Sequence, residues 1–342
     1  MKAVFASAPD PDDPLSAVVV GHRPEPEVPR GWVLVRVRAA SLNHKDLWTL
    51  RGVGINRDQY PRILGCEAAG ETPDGRRVVL YPLLDAPPGT SDETLVMPAA
   101  QLVGARPGTL AEYFVAPPES LLPVPDHLTW EEAACLVCTW LPAYRMLFTK
   151  AALRPGDTVL VQGAAGGLST ALISLAAASG LRTWVTGRSA DKRDLARRLG
   201  ASATFEPGAT LPEQVDAVVD SVGKATWMHS LRSVRHGGTV VVAGATTGDV
   251  PPARLHRIYF HQVNVVGSFS GTREEYGRLV TLMRTTGIRP LVDDVLPIQE
   301  ARAALKRLAD GDVRGNLVLT WSEDDQVAQS EAMRRLSVWL PG

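Results

Sequence analysis

The chain of 342 residues lacks most features of a secreted or membrane protein. Its only cysteines are Cys66, Cys135 and Cys138, too few and too oddly counted for a disulfide framework. No apolar run approaches the roughly 18 residues that span a bilayer, and acidic, Pro-rich sequence follows residues 1–5 too early for a signal peptide. These absences predict reduced thiols and a soluble, cytoplasmic protein.

The chain also lacks an excess of charge of either sign. Lys and Arg number 36 against 37 Asp and Glu, which leaves a formal net charge of −1. No positive field then exists to neutralise a phosphate backbone or an anionic bilayer, so neither nucleic acid nor a membrane is expected as a partner. The apolar fraction of 45% is that of a globular protein, and the length favours two domains.

The hydrophobic pattern changes its period along the chain. Up to about residue 120 it predicts a mostly-β domain, with short strands at 32–38, 76–81 and 110–115. A hydroxyl at Thr129 followed by Glu132 predicts the start of a helix that leads into the next domain. From Asp157 strands alternate with helices, which is the pattern of a doubly wound parallel sheet. The predicted strands are 158–162, 183–186, 203–205, 215–219, 239–242 and 263–266, and the helices 168–178 and 191–199.

The remaining chain predicts a return to the first domain. Two amphipathic helices, 274–285 and 300–309, precede a strand at 317–320 that is too far from the alternating block to belong to it. We therefore expect a first domain over 1–125, a dinucleotide-binding domain over 126–267, and a return to the first domain with a charged tail over 268–342.

A glycine-rich turn joins the strand at 158–162 to the helix at 168–178. Glycines there let the backbone turn tightly and bring main-chain amides and the positive end of the helix dipole to a diphosphate. We expect the three glycines of this turn to present bare amides to a dinucleotide. The turn consists of Gly163, Ala164, Ala165, Gly166, Gly167 and Leu168.

The end of the second strand selects the nicotinamide cofactor. An Asp or Glu there would hold a ribose 2′-hydroxyl, but no carboxylate occurs where this strand ends. Arg188, Ser189 and Lys192 are instead donors suited to a 2′-phosphate. This pattern favours NADP(H) over NAD(H), and the alternative is a solvated basic turn that opens a helix.

Six segments in this order resemble the medium-chain dehydrogenase/reductase superfamily, and within it the zinc-independent quinone oxidoreductase-like and alcohol dehydrogenase-like branch. The similarity covers nearly the whole chain to about residue 320. It implies a GroES-like mostly-β catalytic domain with an inserted Rossmann domain. The segments are 40–46 (ASLNHKD), 61–70 (PRILGCEAAG), 163–169 (GAAGGLS), 220–223 (DSVG), 237–244 (GGTVVVAG) and 315–319 (GNLVL).

The resemblance also implies further site residues and a homodimer. Asn43 would contact the nicotinamide ribose or the substrate oxygen, and Asp46 would brace that loop; the alternatives are a loop-capping Asn and a capping Asp. The strand at 263–267 would pair across a two-fold axis. Further cofactor contacts would come from Ser221, Val222, Gly244, Ala245, Ser268, Phe269 and Asn316.

A catalytic zinc is not expected. Asn43 stands in the place of the first Cys ligand of the zinc-dependent relatives, and Cys66 in the place of the His. A catalytic zinc needs three firm protein ligands. This sequence offers at most two thiols, Cys66 and Cys138, with Glu67 beside them. Without a Lewis acid, the implied chemistry is hydride transfer from NADPH to a quinone, enone or related small conjugated carbonyl, which can delocalise the arriving charge.

Two alternatives stay open at this stage. The first is an alcohol or aldehyde dehydrogenase of the same superfamily, with or without a retained metal. The second is a nucleotide-binding sensor or structural protein with little turnover. Trp140 and Pro142 replace residues that the family usually has near the nicotinamide, so the pocket floor is expected to differ.

Overall fold

A computed structural model describes residues 1–83, 89–96 and 106–321. The chain divides into two compact units, one formed by Met1–Cys138 with the chain from Val292 onward, the other by Thr139–Leu291. Both limits lie C-terminal to the boundaries at 125/126 and 267/268 that the change in periodicity suggested. The charged tail after residue 321 lies outside the described residues.

The strands of the described ranges are short and agree closely with the sequence pattern in the second unit. They are β1 (Lys2–Ala6), β2 (Val18–His22), β3 (Val33–Ser41), β4 (Arg62–Ile63), β5 (Ala68–Glu71), β6 (Arg77–Leu80), β7 (Tyr113–Ala116), β8 (Leu121–Pro123), β9 (Thr158–Gln162), β10 (Arg182–Thr186), β11 (Ala203–Phe205), β12 (Val215–Asp220), β13 (Val234–Val242), β14 (Asn264–Gly267), β15 (Val292–Pro297) and β16 (Asn316–Thr320).

The helices of the same ranges are α1 (His44–Leu50), α2 (Trp130–Ala133), α3 (Leu141–Tyr144), α4 (Gly167–Ala178), α5 (Ala190–Arg198), α6 (Trp227–Ser233), α7 (Leu255–Phe260), α8 (Arg273–Thr286) and α9 (Ala301–Asp310). Two π-helical stretches, Leu136–Trp140 and Arg145–Lys150, flank α3. Single 3₁₀ turns occur at Arg57–Gln59, Glu93–Leu95, Pro118–Ser120 and Ile298–Glu300. None of the described helices is both long and apolar enough to cross a bilayer.

The first unit is a mostly-β domain. A sheet of seven strands has the order β15-β16-β3-β5-β6-β8, with β7 pairing to β3, and a smaller sheet has the order β2-β1-β4. Strand β3 is long enough to pair with β5, β7 and β16, and it carries the fully buried Val35 and Val37. The C-terminal strand β16 therefore lies in the sheet of the first unit.

The second unit contains the doubly wound parallel sheet that the sequence predicts. Its six strands have the order β11-β10-β9-β12-β13-β14, and every pairing is parallel. All five residues of β9 are buried, as expected for a central strand covered on both faces. The chain runs outward from β9 to β11 and then returns to β12, so the order reverses between β9 and β12. In open α/β sheets, ligands bind at the carboxyl ends of the strands beside such a reversal.

Candidate active site

The phosphate turn lies at this reversal, between the end of β9 and the start of α4. Gly166 is the N-terminal cap residue of α4, and no side chain caps the helix. The first main-chain bond of the helix runs from the N–H of Thr170 to the carbonyl of Gly166 at 2.9 Å. A Cβ atom added at Gly166 would meet nothing within 4 Å, so open space lies beside the uncapped helix end. The amides of residues 167–169 are therefore available to an anion.

Gly163 differs from the sequence-based expectation. Its N–H donates to Thr186 Oγ1 at 3.2 Å, so this amide is not bare. Its backbone has φ of +96°, in the region that favours glycine, and this conformation turns the chain from β9 toward the helix. Gly163 thus shapes the turn, while the free donors belong to the first residues of α4.

The end of β10 packs against this turn. A Cβ at Gly187 would meet Arg193 Cγ at 2.9 Å and Ala164 Cβ at 3.0 Å, so only glycine lets these segments approach so closely. Arg193 donates to the carbonyl of Gly187 at 2.8 Å. Arg188 follows with an exposed side chain, and Ser189 occupies the N-cap position of α5, where its side chain makes no capping hydrogen bond. Lys192 lies in the first turn of α5. The three residues predicted to bind a 2′-phosphate therefore all lie between the end of β10 and the first turn of α5.

The predicted contacts after β12 and β13 also lie together. A Cβ at Gly244 would meet the carbonyl oxygen of Ser221 at 2.8 Å, and one at Gly223 would meet Ala245 Cα at 2.9 Å. Val222 lies in the same turn and donates its N–H to Asp220.

Ser268 and Phe269 follow the edge strand of the same sheet. The N–H of Ser268 donates to the carbonyl of Val242 at 2.8 Å, and Phe269 is 47% exposed. The structure thus brings the predicted cofactor residues of the second unit to the carboxyl edge of its parallel sheet.

The first unit holds a second polar cluster around Glu67. Asn43 Nδ2 donates to Glu67 Oε1 at 2.9 Å and to the carbonyl of Ser41 at 3.3 Å. Glu67 Oε2 accepts from the N–H groups of Val137 at 3.1 Å and Cys138 at 2.7 Å. Burial raises the pKa of Glu67 to about 7, against the lowering effect of these hydrogen bonds.

Asp46 braces the loop that carries Asn43. Its Oδ2 accepts from the N–H of Asn43 at 2.8 Å, and its Oδ1 accepts from the N–H of Gly65 at 2.7 Å. Burial raises the pKa of this carboxyl to about 6, and the two hydrogen bonds oppose that shift. Both oxygens are engaged by main chain, so the carboxylate joins the Asn43 loop to the segment of Gly65.

The side chains that the resemblance places at the zinc position of zinc-dependent relatives are engaged with main chain: Cys138 Sγ donates to the carbonyl of Cys66, and Glu67 accepts from the N–H groups of Val137 and Cys138. The hydrogen bond with Cys66 and burial hold the pKa of the Cys138 thiol well above its ordinary value. Glu67 already accepts three hydrogen bonds. Within residues 1–83, 89–96 and 106–321, no three His, Cys, Asp or Glu side chains are grouped to hold a metal ion.

Asn316 lies inside the first unit. It is 3% exposed, and its Nδ2 donates to Ser41 Oγ at 3.1 Å. The resemblance assigns this side chain to the cofactor. Its Nδ2 is instead engaged within the sheet that contains β3 and β16.

The sequence analysis missed a set of buried polar residues that end the parallel strands. Gln162, Thr186 and Asp220 are the last residues of β9, β10 and β12, and each is at most 2% exposed. A polar residue that closes an apolar strand is the signal that could have found them, because a buried polar group needs a partner.

Two family models match this chain. The model described as alcohol dehydrogenase GroES-like domain matches residues 29–126, and the model described as zinc-binding dehydrogenase matches residues 167–285. The chain is 29% identical to an alcohol dehydrogenase of Geobacillus stearothermophilus over 326 residues, 87% of this chain and 94% of that protein. It is also 29% identical to acryloyl-coenzyme A reductase of Metallosphaera sedula over 340 residues, 90% of this chain and all of the relative.

Solved structures share the same fold. The structure of AibC has a TM-score of 0.82 and 30% identity, and the match covers 94% of this chain and 96% of AibC. The 2-octenoyl-CoA carboxylase reductase CinF, solved in complex with NADP and 2-octenoyl-CoA, has a TM-score of 0.84 and 26% identity. That match covers 94% of this chain and 87% of CinF.

Proposed function

The chain belongs to the medium-chain dehydrogenase/reductase superfamily, and on that premise we propose that it is an NADPH-dependent reductase of enones or enoyl thioesters. The observation that carries the proposal is the uncapped N-terminus of α4 with open space beside Gly166. Helix amides and the helix dipole at such a position bind a diphosphate. Relatives that act on enoyl thioesters, acryloyl-coenzyme A reductase and CinF, support the substrate class.

The connection after β10 fits a 2′-phosphate. Arg188 is exposed, and no carboxylate lies between Thr186 and Ala190 to hold a ribose 2′-hydroxyl. Arg188, Ser189 and Lys192 would bind the phosphate through charge-assisted hydrogen bonds. The turn at 221–223 and the residues Gly244, Ala245, Ser268 and Phe269 would line the rest of the nucleotide. When bound, NADPH supplies the hydride for the conjugated carbon.

The Asn43 amide has a narrower role than the resemblance alone implies. Both of its N–H groups are used, on Glu67 and on the carbonyl of Ser41. Its Oδ1 only accepts; the capping box of α1 directs the backbone N–H of Asp46 to this side chain, so the remaining lone pair of Oδ1 is what can meet a ligand. We infer that Asn43 accepts from a ribose hydroxyl and does not donate to a substrate carbonyl, whose developing charge is met by solvent or another donor.

Zinc independence is part of the proposal. Its support is that these donors are already engaged: Cys138 Sγ donates to the carbonyl of Cys66 at 3.5 Å, and Glu67 accepts from Asn43 and from two main-chain amides. The purified enzyme should keep its activity after dialysis against a chelator. Stoichiometric zinc by elemental analysis, lost together with activity, would favour instead an alcohol dehydrogenase.

A homodimer is also proposed, through the edge strand β14. In the described part of the chain this strand pairs only with β13, and Val265 on it is 44% exposed. Beside it, Tyr259 and Phe260 of α7 are 66% and 61% exposed. An apolar edge strand invites pairing with a second copy. Light scattering during gel filtration should give twice the chain mass, and Val265→Lys should shift it toward the monomer.

A substrate panel tests the reaction. We expect NADPH oxidation with crotonyl-CoA or simple enones that exceeds the rate with quinones, saturated aldehydes and, in reverse with NADP⁺, alcohols. Turnover confined to alcohols and aldehydes would support the dehydrogenase alternative. Saturable NADPH binding without oxidation across the whole panel would instead support a nucleotide sensor.

A further inference from the structure

Three neighbouring strands of the parallel sheet end on buried polar residues in one row. Thr186 of β10 is the register partner of Gln162 in β9, and Asp220 of β12 is its partner on the other side. Adjacent residues in register point to the same face of a sheet. The row lies where the strand order reverses, directly before the phosphate turn and the turn at 221–223.

A directed chain of hydrogen bonds passes through Gln162. His229 Nε2 lies 2.8 Å from the carbonyl oxygen of Ala209, which only accepts, so Nε2 carries the ring proton. The other ring nitrogen, Nδ1, is then an acceptor, and Gln162 Nε2 donates to it at 2.9 Å and to Ser230 Oγ at 3.0 Å. The carboxamide oxygen of Gln162 therefore faces Thr186, whose hydroxyl donates to it at 2.8 Å.

One end of this chain of hydrogen bonds contacts the phosphate turn. The single hydroxyl proton of Thr186 is given to Gln162, so Thr186 Oγ1 presents only lone pairs to Gly163. The N–H of Gly163 donates to that oxygen at 3.2 Å. The orientation of the Gln162 carboxamide thus decides that Thr186 can accept from the first residue of the turn.

The other end of the chain of hydrogen bonds contacts the turn at 221–223. The Ser230 hydroxyl accepts from Gln162 and donates to Asp220 Oδ2 at 2.7 Å. The second carboxylate oxygen, Asp220 Oδ1, accepts from the N–H groups of Val222 at 2.8 Å and Gly223 at 3.1 Å. The two turns are therefore joined through side chains that lie beneath them.

We propose that Gln162 is a positioning residue that holds the phosphate turn and the 221–223 turn in one geometry for the nucleotide. The inference rests on the proposed function, which assigns both turns to NADPH. Gln162 is 1% exposed and acts through Thr186 and Ser230. Its carboxamide donates toward the 221–223 turn through Ser230 and accepts from Thr186 beneath the phosphate turn, so it fixes both together.

Gln162→Met tests the carboxamide because the side chain keeps its length but loses both hydrogen-bonding groups. Thr186 then has no acceptor for its proton, and His229 Nδ1 has no donor. We expect the Kd for NADPH, measured by fluorescence titration, to rise about fivefold to tenfold, the effect of about one net hydrogen bond. The kcat at saturating NADPH should stay within about twofold. Gln214→Met, at an exposed glutamine of the same unit, is the matched control and should leave the Kd unchanged.

Variants of Thr186 test the inference where Gln162→Met folds poorly, and a double-mutant cycle of the two sites separates positioning from general loss of structure. Thr186→Val removes the hydroxyl at constant shape and should weaken NADPH binding, whereas Thr186→Ser keeps the hydroxyl and should restore it. In the Gln162→Met background Thr186→Val should add little, because both changes break the same chain.

Three results would overturn the inference. Unchanged NADPH affinity in both Gln162→Met and Thr186→Val, with normal binding by the unaltered chain, removes the positioning role and leaves the proposed function standing. Fully additive losses in the cycle do the same. Absence of saturable NADPH binding by the unaltered chain removes both the inference and the function on which it rests.

Discussion

Gly166→Ala separates nucleotide binding from folding more sharply than other substitutions in the phosphate turn. The residue has φ of −73° and ψ of 162°, which alanine adopts without strain. Its added methyl would meet no atom within 4 Å. The folded chain therefore accepts the methyl, and only a ligand that approaches the mouth of α4 would meet it.

The two effects differ in size. Replacing glycine at an unstrained position stabilises by about 0.4–1 kcal/mol, and alanine is a poorer N-cap than glycine by a similar amount. The free energy of unfolding should thus change by less than about 1 kcal/mol. Steric overpacking against a bound diphosphate costs about 1–3 kcal/mol, which raises the Kd for NADPH roughly fivefold to 150-fold.

Urea unfolding and NADPH fluorescence titration measure the two quantities on the same preparations. Gly277→Ala is the matched control, because a Cβ there also meets nothing within 4 Å and the residue lies exposed in α8. That variant should gain up to about 1 kcal/mol of stability from helix propensity and bind NADPH normally. Unchanged NADPH affinity in Gly166→Ala would refute the assignment of the diphosphate to this helix end.

Three further predictions concern charge. Arg188→Ala should raise the Kd for NADPH about tenfold or more and leave the Kd for NADH unchanged, which competitive titrations would measure. Equal losses of affinity for both nucleotides would contradict a 2′-phosphate site. Burial raises the pKa of Glu67 from 4.5 to about 7, so its contribution to stability is full below about pH 4.5 and falls by about 3 kcal/mol as pH rises through 7. Glu67→Gln should flatten urea-unfolding stability across that window, and an unchanged slope would contradict the assignment. Arg145→Met leaves the buried Glu275, its partner at 2.9 Å, uncompensated, and should lower the free energy of unfolding by about 3 kcal/mol; a loss below about 1 kcal/mol would contradict this.

The parallel sheet and the start of α2 were predictable because their signals are local. The strand at Thr158–Gln162 has a continuous apolar centre, residues 159–161, and the structure has the predicted bounds. Thr129 and Glu132 form the predicted capping box, in which the N–H of Glu132 donates to Thr129 Oγ1 and the N–H of Thr129 to Glu132 Oε2. In both places the neighbouring residues alone determine the conformation.

Other features depend on partners that are distant in sequence. Strand β15 was not predicted because Asp293 and Asp294 interrupt its apolar pattern, and Arg307 of α9 pairs with both of them. The amide of Gly163 was expected to be bare, but Thr186 accepts from it. A one-dimensional pattern does not show which side chain from another strand meets a given main-chain group.

Transfer of deuterium tests the central claim most directly. The enzyme would be incubated with NADPH deuterated at both C4 positions of the nicotinamide and with crotonyl-CoA, and the acyl product analysed by mass spectrometry. The proposed function predicts one deuterium on the β-carbon of butyryl-CoA, with NADPH consumed in equal amount. Recovery of unreduced crotonyl-CoA beside intact, unbound NADPH would contradict it.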